Sequence, residues 1–137
     1  MALLLDTGPL LASIDRADPD HQRCRELIEQ HREPLVVPSP VLVELDYWCR
    51  TKLTADDFLA FLDDVVAGAY RVENLVLADY RRARELQAEY ADNRIGFVDA
   101  SVMAIVERLG ETKLATLDHR HFSSLRPAHL AMLQLLP

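Results

Sequence analysis

The chain has 137 residues, half of them hydrophobic, with 15 lysines and arginines against 22 aspartates and glutamates, for a net charge of -7. That length allows one domain with a real core, and that hydrophobic content excludes a disordered chain. The acidic balance argues against loose binding of a polyanion by bulk charge. It leaves open an enzyme whose carboxylates are neutralised by bound cations. No apolar run is long enough to span a membrane, and the first five residues are too short for a signal peptide. A soluble, cytoplasmic protein is expected.

Ala2–Leu5 is a short apolar run that ends at Asp6, as in a buried strand. Thr7-Gly8-Pro9 then turns into a helix carrying Leu10, Leu11 and Ile14. Asp18-Pro19 reads as an N-cap followed by a first-turn proline, which starts a helix running to about Glu33, where Pro34 stops it. Leu35-Val36-Val37 is a second strand. Ser39-Pro40 opens a third helix that reaches about Lys52. Thr54, with Asp57 three residues on, caps a fourth helix along Phe58, Leu59, Phe61, Leu62, Val65 and Val66.

Residues 69–72 form a candidate third strand, and residues 77–91 a fifth helix that is basic on one side. A sixth helix lies between Gly96 and Gly110, and its middle, Ala100–Val106, carries no charge. Such a segment is buried all round. Residues 113–117 are a strand ending in Asp118, and residues 130–136 an edge strand. Strands alternating with helices predict a single α/β domain over residues 1–137, with a mainly parallel central sheet flanked by helices. Cys24 and Cys49 fall inside helical patterns without metal-ligand spacing and read as reduced thiols.

In open α/β sheets, ligands sit beyond the carboxyl ends of the strands. Asp6 and Asp118 follow strands, Asp99 opens the buried helix, and Glu44 lies on the helix after the second strand. Glu44 and Asp46 are the only charges in an apolar stretch, and at helical pitch they point to nearly opposite sides. Each acid alone has an ordinary role open to it, as a cap, a turn residue or a solvated charge. Four carboxylates at one edge would repel without cations. An oxygen-only donor set selects Mg²⁺ or Mn²⁺, ions that serve phosphoryl transfer.

Leu3–Leu11, with its Asp6-Thr7-Gly8 core, resembles the opening of PIN-domain ribonucleases. Val41–Leu45 resembles their second motif, around Glu44, and Gly96–Ser101 their third, around Asp99. Thr116-Leu117-Asp118-His119-Arg120-His121-Phe122 resembles the fourth motif of the VapC-like toxins. The four stand in order over nearly the whole chain. The resemblance implies a PIN-like fold and a metal-dependent endoribonuclease. In it Asp6 and Asp99 are the principal ligands of Mg²⁺ or Mn²⁺, Glu44 and Asp118 complete the site, and Thr7 and Thr116 hold the acids or waters. It also implies the toxin of a type II toxin–antitoxin pair, a homodimer held inactive by a small antitoxin.

Arg120 and His121, beside Asp118, are candidate RNA contacts, with His119 a weaker one. Arg81, Arg82, Arg84 and Arg94 surround the apolar positions of the fifth helix, with Arg81 and Arg84 on one face and Arg82 to one side; they either grip RNA phosphates or form a solvated surface pairing with Glu85 and Glu89. Tyr47 and Trp48 either stack on bases or pack in a core or dimer contact. Asp92 reads as a loop or helix-end acid. Asp6-Thr7-Gly8 also matches the aspartic-protease triplet, but that chemistry needs a second aspartate in a mostly β fold. A haloacid-dehalogenase-type phosphatase would need a second acid two residues after Asp6, where Gly8 stands. The alternative from another class is a non-catalytic PIN-like module that binds RNA or protein.

Overall fold

The computed structural model describes residues 1–137. Its centre is a five-stranded sheet of β1 (Leu3–Leu5), β2 (Leu35–Pro38), β3 (Arg71–Glu73), β4 (Lys113–Ala115) and β5 (Gln134–Leu136). The strand order is β3-β2-β1-β4-β5, and every pairing is parallel. The helices are α1 (Thr7–Ile14), α2 (His21–Gln30), α3 (Ser39–Lys52), α4 (Ala55–Val66), α5 (Leu77–Glu89), α6 (Phe97–Leu109) and α7 (His119–Ser123). The sheet is therefore wholly parallel where the sequence led us to expect a mainly parallel one.

The apolar run of β1 is fully buried, as befits a central strand covered on both faces. Helix α6 packs beside α5, and Ala100 to Val106 are all buried. Burying side chains such as Val102, Met103 and Ile105 contributes about 1.5–3 kcal/mol each. Gly96 stands at the N-cap of α6. Gly110 closes the helix at φ 66°, a left-handed conformation that an L side chain resists. Glu111 N–H then donates back to Val106 O at 3.1 Å, completing the stop. Thr54 and Asp57 form the expected capping box on α4. Both cysteines are free and buried.

Several boundaries move. Helix α2 starts at His21, not at Pro19, because Asp18 spends its carboxylate on the N–H of Asp20 and folds a turn before the helix. It ends at Gln30, short of Glu33. The third strand lies two residues later than expected, and the last begins only at Gln134. Helix α5 stops at Glu89, followed by a single 3₁₀ turn over Ala91–Asn93. Strand β4 ends at Ala115, which frees Thr116 to Asp118 to form a corner before α7.

Candidate active site at the sheet switch point

The strand order runs one way from β1 through β2 to β3 and the other way from β1 to β4. The reversal leaves a crevice beyond the ends of β1 and β4, where doubly wound sheets bind ligands. Leu5 pairs with Ala115, and Asp6 N–H donates to Ala115 O at 2.9 Å. That register sets Asp6 beside Thr116. The Thr116 hydroxyl donates to Asp6 Oδ2 at 3.0 Å and accepts the N–H of Asp118 at 3.1 Å. One buried threonine thus holds two of the four acids. Gly8 lets the start of α1 close on this corner. A Cβ there would lie 3.3 Å from Leu117 Cβ, tighter than ordinary contact.

Asp6 occupies the N-cap position of α1, yet its side chain makes no capping bond. The carboxylate is turned toward the crevice and is only 7% exposed. Burial, with the charge of Asp99 next, pushes its pKa up to about 7; Glu44 adds to the rise, while the Thr7 amide and the Thr116 hydroxyl oppose it. Asp99, in the first turn of α6, is raised by burial, held back by His121, and raised further by Glu44 and Asp118. These mutual effects place all four acids in one electrostatic neighbourhood. No lysine or arginine pairs with any of them; every such cation in an ion pair is spent on Asp20, Glu29, Glu33, Asp46, Glu73, Asp79, Glu85 or Glu107.

The basic side chain that does approach is His121, whose Nε2 lies 3.2 Å from Asp99 Oδ2. The angle is too skewed for a hydrogen bond, so that buried nitrogen has no partner. His121 was expected only as an RNA contact, and its approach to Asp99 was not foreseen. The signal was the turn of α7: Asp118 Oδ1 accepts His121 N–H at 3.1 Å, which swings the ring back over the acids. No three acidic, histidine or cysteine side chains stand close enough to hold one ion between them as they lie. The chemistry of the four acids nonetheless fits a hard cation: oxygen donors, partly buried, without a lysine or arginine partner.

Two buried hydroxyls nearby in sequence, Thr7 Oγ1 and Ser101 Oγ, also lack partners. Thr7 matches its expected place at the pocket; Ser101 was not singled out, although it follows Asp99 by two residues. Arg120 and His121 line a polar cleft with Asn93, Asp118 and Ser124. Arg81 and Arg84 are exposed and make no ion pair, so the expected alternative of pairing with Glu85 and Glu89 does not hold for them, and neither lines that cleft. Arg82 instead grips Glu107 at 2.8 Å and Glu85 at 3.3 Å. Asp92 is exposed on the 3₁₀ turn. Tyr47 is exposed and meets Trp48 edge-on, and Lys52 covers the Trp48 ring at 5.1 Å.

No protein-family model matches the chain. It is similar to a curated protein, ribonuclease VapC26 of Mycobacterium tuberculosis, with 38% identity over 125 residues covering 91% of this chain and 93% of that one. Its fold is similar to that of Mycobacterium tuberculosis VapC20, described as a sarcin-ricin loop cleaving toxin. The TM-score is 0.82 at 17% identity, over 93% of this chain and 98% of that one. It is similar also to VapBC2 from Rickettsia felis bound to a promoter DNA fragment, with a TM-score of 0.72 at 19% identity over the whole of both chains.

Proposed function

Because the chain belongs to the VapC family of ribonucleases, we propose that it is a metal-dependent endoribonuclease, the toxin of a toxin–antitoxin pair. The observation that carries the metal dependence is the convergence of Asp6, Glu44, Asp99 and Asp118, unpaired with lysine or arginine, at the switch point of the sheet. Asp6 and Asp99 would hold Mg²⁺ or Mn²⁺, with Glu44 and Asp118 completing the shell directly or through water. Such an ion supplies an activated water and charge stabilisation at the phosphorus when bound.

The chain's own residues supply the rest. Thr116 orients Asp6 and fixes the backbone of Asp118. Burial of Asp6 excludes competing water from its carboxylate and raises its demand for a cation. His121, 3.2 Å from Asp99 Oδ2, and Arg120 lie in the same cleft and would be the groups that meet an RNA phosphate.

The partner implied is a small antitoxin. The family resemblance implies that the antitoxin's tail lies in a groove over the active site. The groove of about 370 Å³ between α1, α2 and α4, lined by Ile14, Ile28, Phe61 and Tyr70 with both basic (Arg16, Arg25) and acidic (Glu29, Asp57, Asp64) residues, is a separate surface that includes none of the four acids. A homodimer is supported by an exposed apolar face, where Tyr80 stacks on Phe97 at 6.2 Å and Leu77 lies three residues before Tyr80. The site lies on the C-terminal edge of the sheet and no helix is long and apolar enough to cross a membrane.

The test is cleavage of total RNA by the purified protein with Mg²⁺, with Mn²⁺ and with EDTA, beside Asp99→Asn. Discrete fragments that need metal and vanish in the variant are expected, and sequencing their ends names the target. Cleavage that persists in EDTA and in Asp99→Asn would overturn the assignment of the acids. Absence of both cleavage and metal binding in a folded protein would point to a non-catalytic module.

A further inference from the structure

The cleft beside the acids has a composition that the metal site does not explain. It holds about 390 Å³, within the range of sites that take a single small ligand, and is lined by Asn93, Asp118, Arg120, His121 and Ser124 with no hydrophobic residue. An apolar anchor from a protein partner would find nothing to pack on there. One wall is the 3₁₀ turn after α5; the other is α7.

Both walls are held in place. The Tyr90 hydroxyl accepts Arg126 N–H at 3.0 Å, tying the start of the 3₁₀ turn to the segment after α7. Arg94 adopts φ 52°, an uncommon conformation for a residue other than glycine, and Ile95 then enters the core at 5% exposure. Gln87 Nε2 donates to Ile95 O at 3.3 Å and pins the turn from below. On the other wall, Ser123 and Ser124 hydroxyls donate to Arg120 O and His121 O at 3.1 and 2.6 Å. Within this frame the backbone N–H of Asn93 is spent on Tyr90 O, and Asn93 is exposed and lines the cleft. Strain accepted beside a site is a mark of pre-organisation.

The lining divides by chemistry. Arg120 offers only donors, which suit a phosphate. Asp118 carries like charge and repels one. Asn93 presents a donor and an acceptor together, the pattern that pairs with the edge of an unstacked base rather than with a phosphate. Resting on the ribonuclease reading above, we propose that Asn93 reads the base of one unpaired nucleotide next to the cleaved linkage, with Arg120 on the adjoining phosphate. Asn93 is then a specificity-determining residue, outside the metal shell and unmarked by any of the four motifs.

The experiment is cleavage of an RNA pool, randomised around an unpaired segment, by the full chain with Mg²⁺ or Mn²⁺, with all cut ends sequenced. The wild type is expected to show a base preference of about tenfold at one position beside the cut, the size of one good bidentate contact. Asn93→Ala should flatten that position and leave the preferences at other positions in place. Asn93→Asp, which loses the donor, should shift the preference to a different base. An unchanged preference map in both variants would overturn the proposal while leaving the nuclease reading intact. A parallel arm selects oligonucleotides that bind Asp99→Asn, with and without Asn93→Ala. Base preference that needs Asn93, in a protein whose wild type never cleaves, would support the cleft and sink the nuclease reading. Neither cleavage nor base-dependent binding would sink both.

Discussion

Asp6 is costly to the fold and useful to the site for the same reason. A carboxylate 7% exposed, beside Asp99 and Glu44 and without a lysine or arginine, holds its proton up to about pH 7. Its folded pKa is raised, so the native chain binds a proton more tightly than the unfolded chain between about pH 4 and 7. Without added metal, stability should therefore fall as pH rises through that window, by on the order of 4 kcal/mol at the upper limit. Asp99 acts in the same direction. Urea midpoints at pH 5 and pH 8 measure the fall; Asp6→Asn should flatten it and be the more stable protein at pH 8. Mg²⁺ should raise the midpoint more at pH 8 than at pH 5 in the wild type, and little in the variant. Thr116→Val keeps the shape of the side chain but removes the donor to Asp6 Oδ2. It should weaken metal binding by about 10–100-fold, the usual cost of losing a group that orients a ligand. Titration calorimetry decides it, and an unchanged affinity would reduce Thr116 to a packing role. That Asp6 and Thr116 meet in one pocket was legible from their motifs. That one hydroxyl serves both Asp6 and Asp118 was not, because it depends on a residue pairing across 110 positions.

Helices α5 and α6 show how an element can be easy to find and its partners invisible. The bounds of α6 were readable from two glycines and an uncharged middle, because both signals are local. Its fastening is not. Arg108 Nε lies 3.0 Å from both oxygens of Asp79, which is 2% exposed, and its Nη1 lies 3.2 Å from Glu73 Oε1. The same aspartate accepts Val76 N–H at the start of α5. One arginine therefore joins the end of α6, the start of α5 and the end of β3. Arg108→Ala would leave Asp79 buried and unpaired, at a cost of about 3–5 kcal/mol. The double variant Arg108→Ala with Asp79→Asn should recover part of that loss in chemical unfolding, and a purely additive pair would refute the coupling. The sequence offered a basic face on α5, yet Arg82 proved to be fastened to Glu107, 25 residues away, while Arg81 and Arg84 stayed free. Helical pitch identifies which arginines share a face; it says nothing about which acid another helix brings to them.

Across the whole molecule, the reversal of strand order between β1 and β4 creates the crevice, and the candidate site residues gather at its rim. Beside it, at the start of α6, lies the exposed stack of Tyr80 on Phe97, with Leu77 three residues before Tyr80. If a second copy covers that face, Leu77→Glu should place an unpaired charge in the contact and give a monomer by sedimentation. A dimer that survives the substitution would move the interface elsewhere. Phe97 stands two residues before Asp99, so loss of the dimer should also lower cleavage more than it lowers metal binding. The sequence by itself determined the alternation of strands and helices, the burial of α6 and the choice of the four acids as candidates. Those rest on hydrophobic periodicity, on turn residues and on side-chain chemistry, which are properties of neighbours along the chain. Tertiary structure alone decided that β4 lies beside β1, that Thr116 bridges two acids, that His121 leans on Asp99, and that Asn93 and Arg120 line one polar cleft. Each of those depends on strand register or on the junction of two loops, where a shift of a single residue would send every side chain to another face.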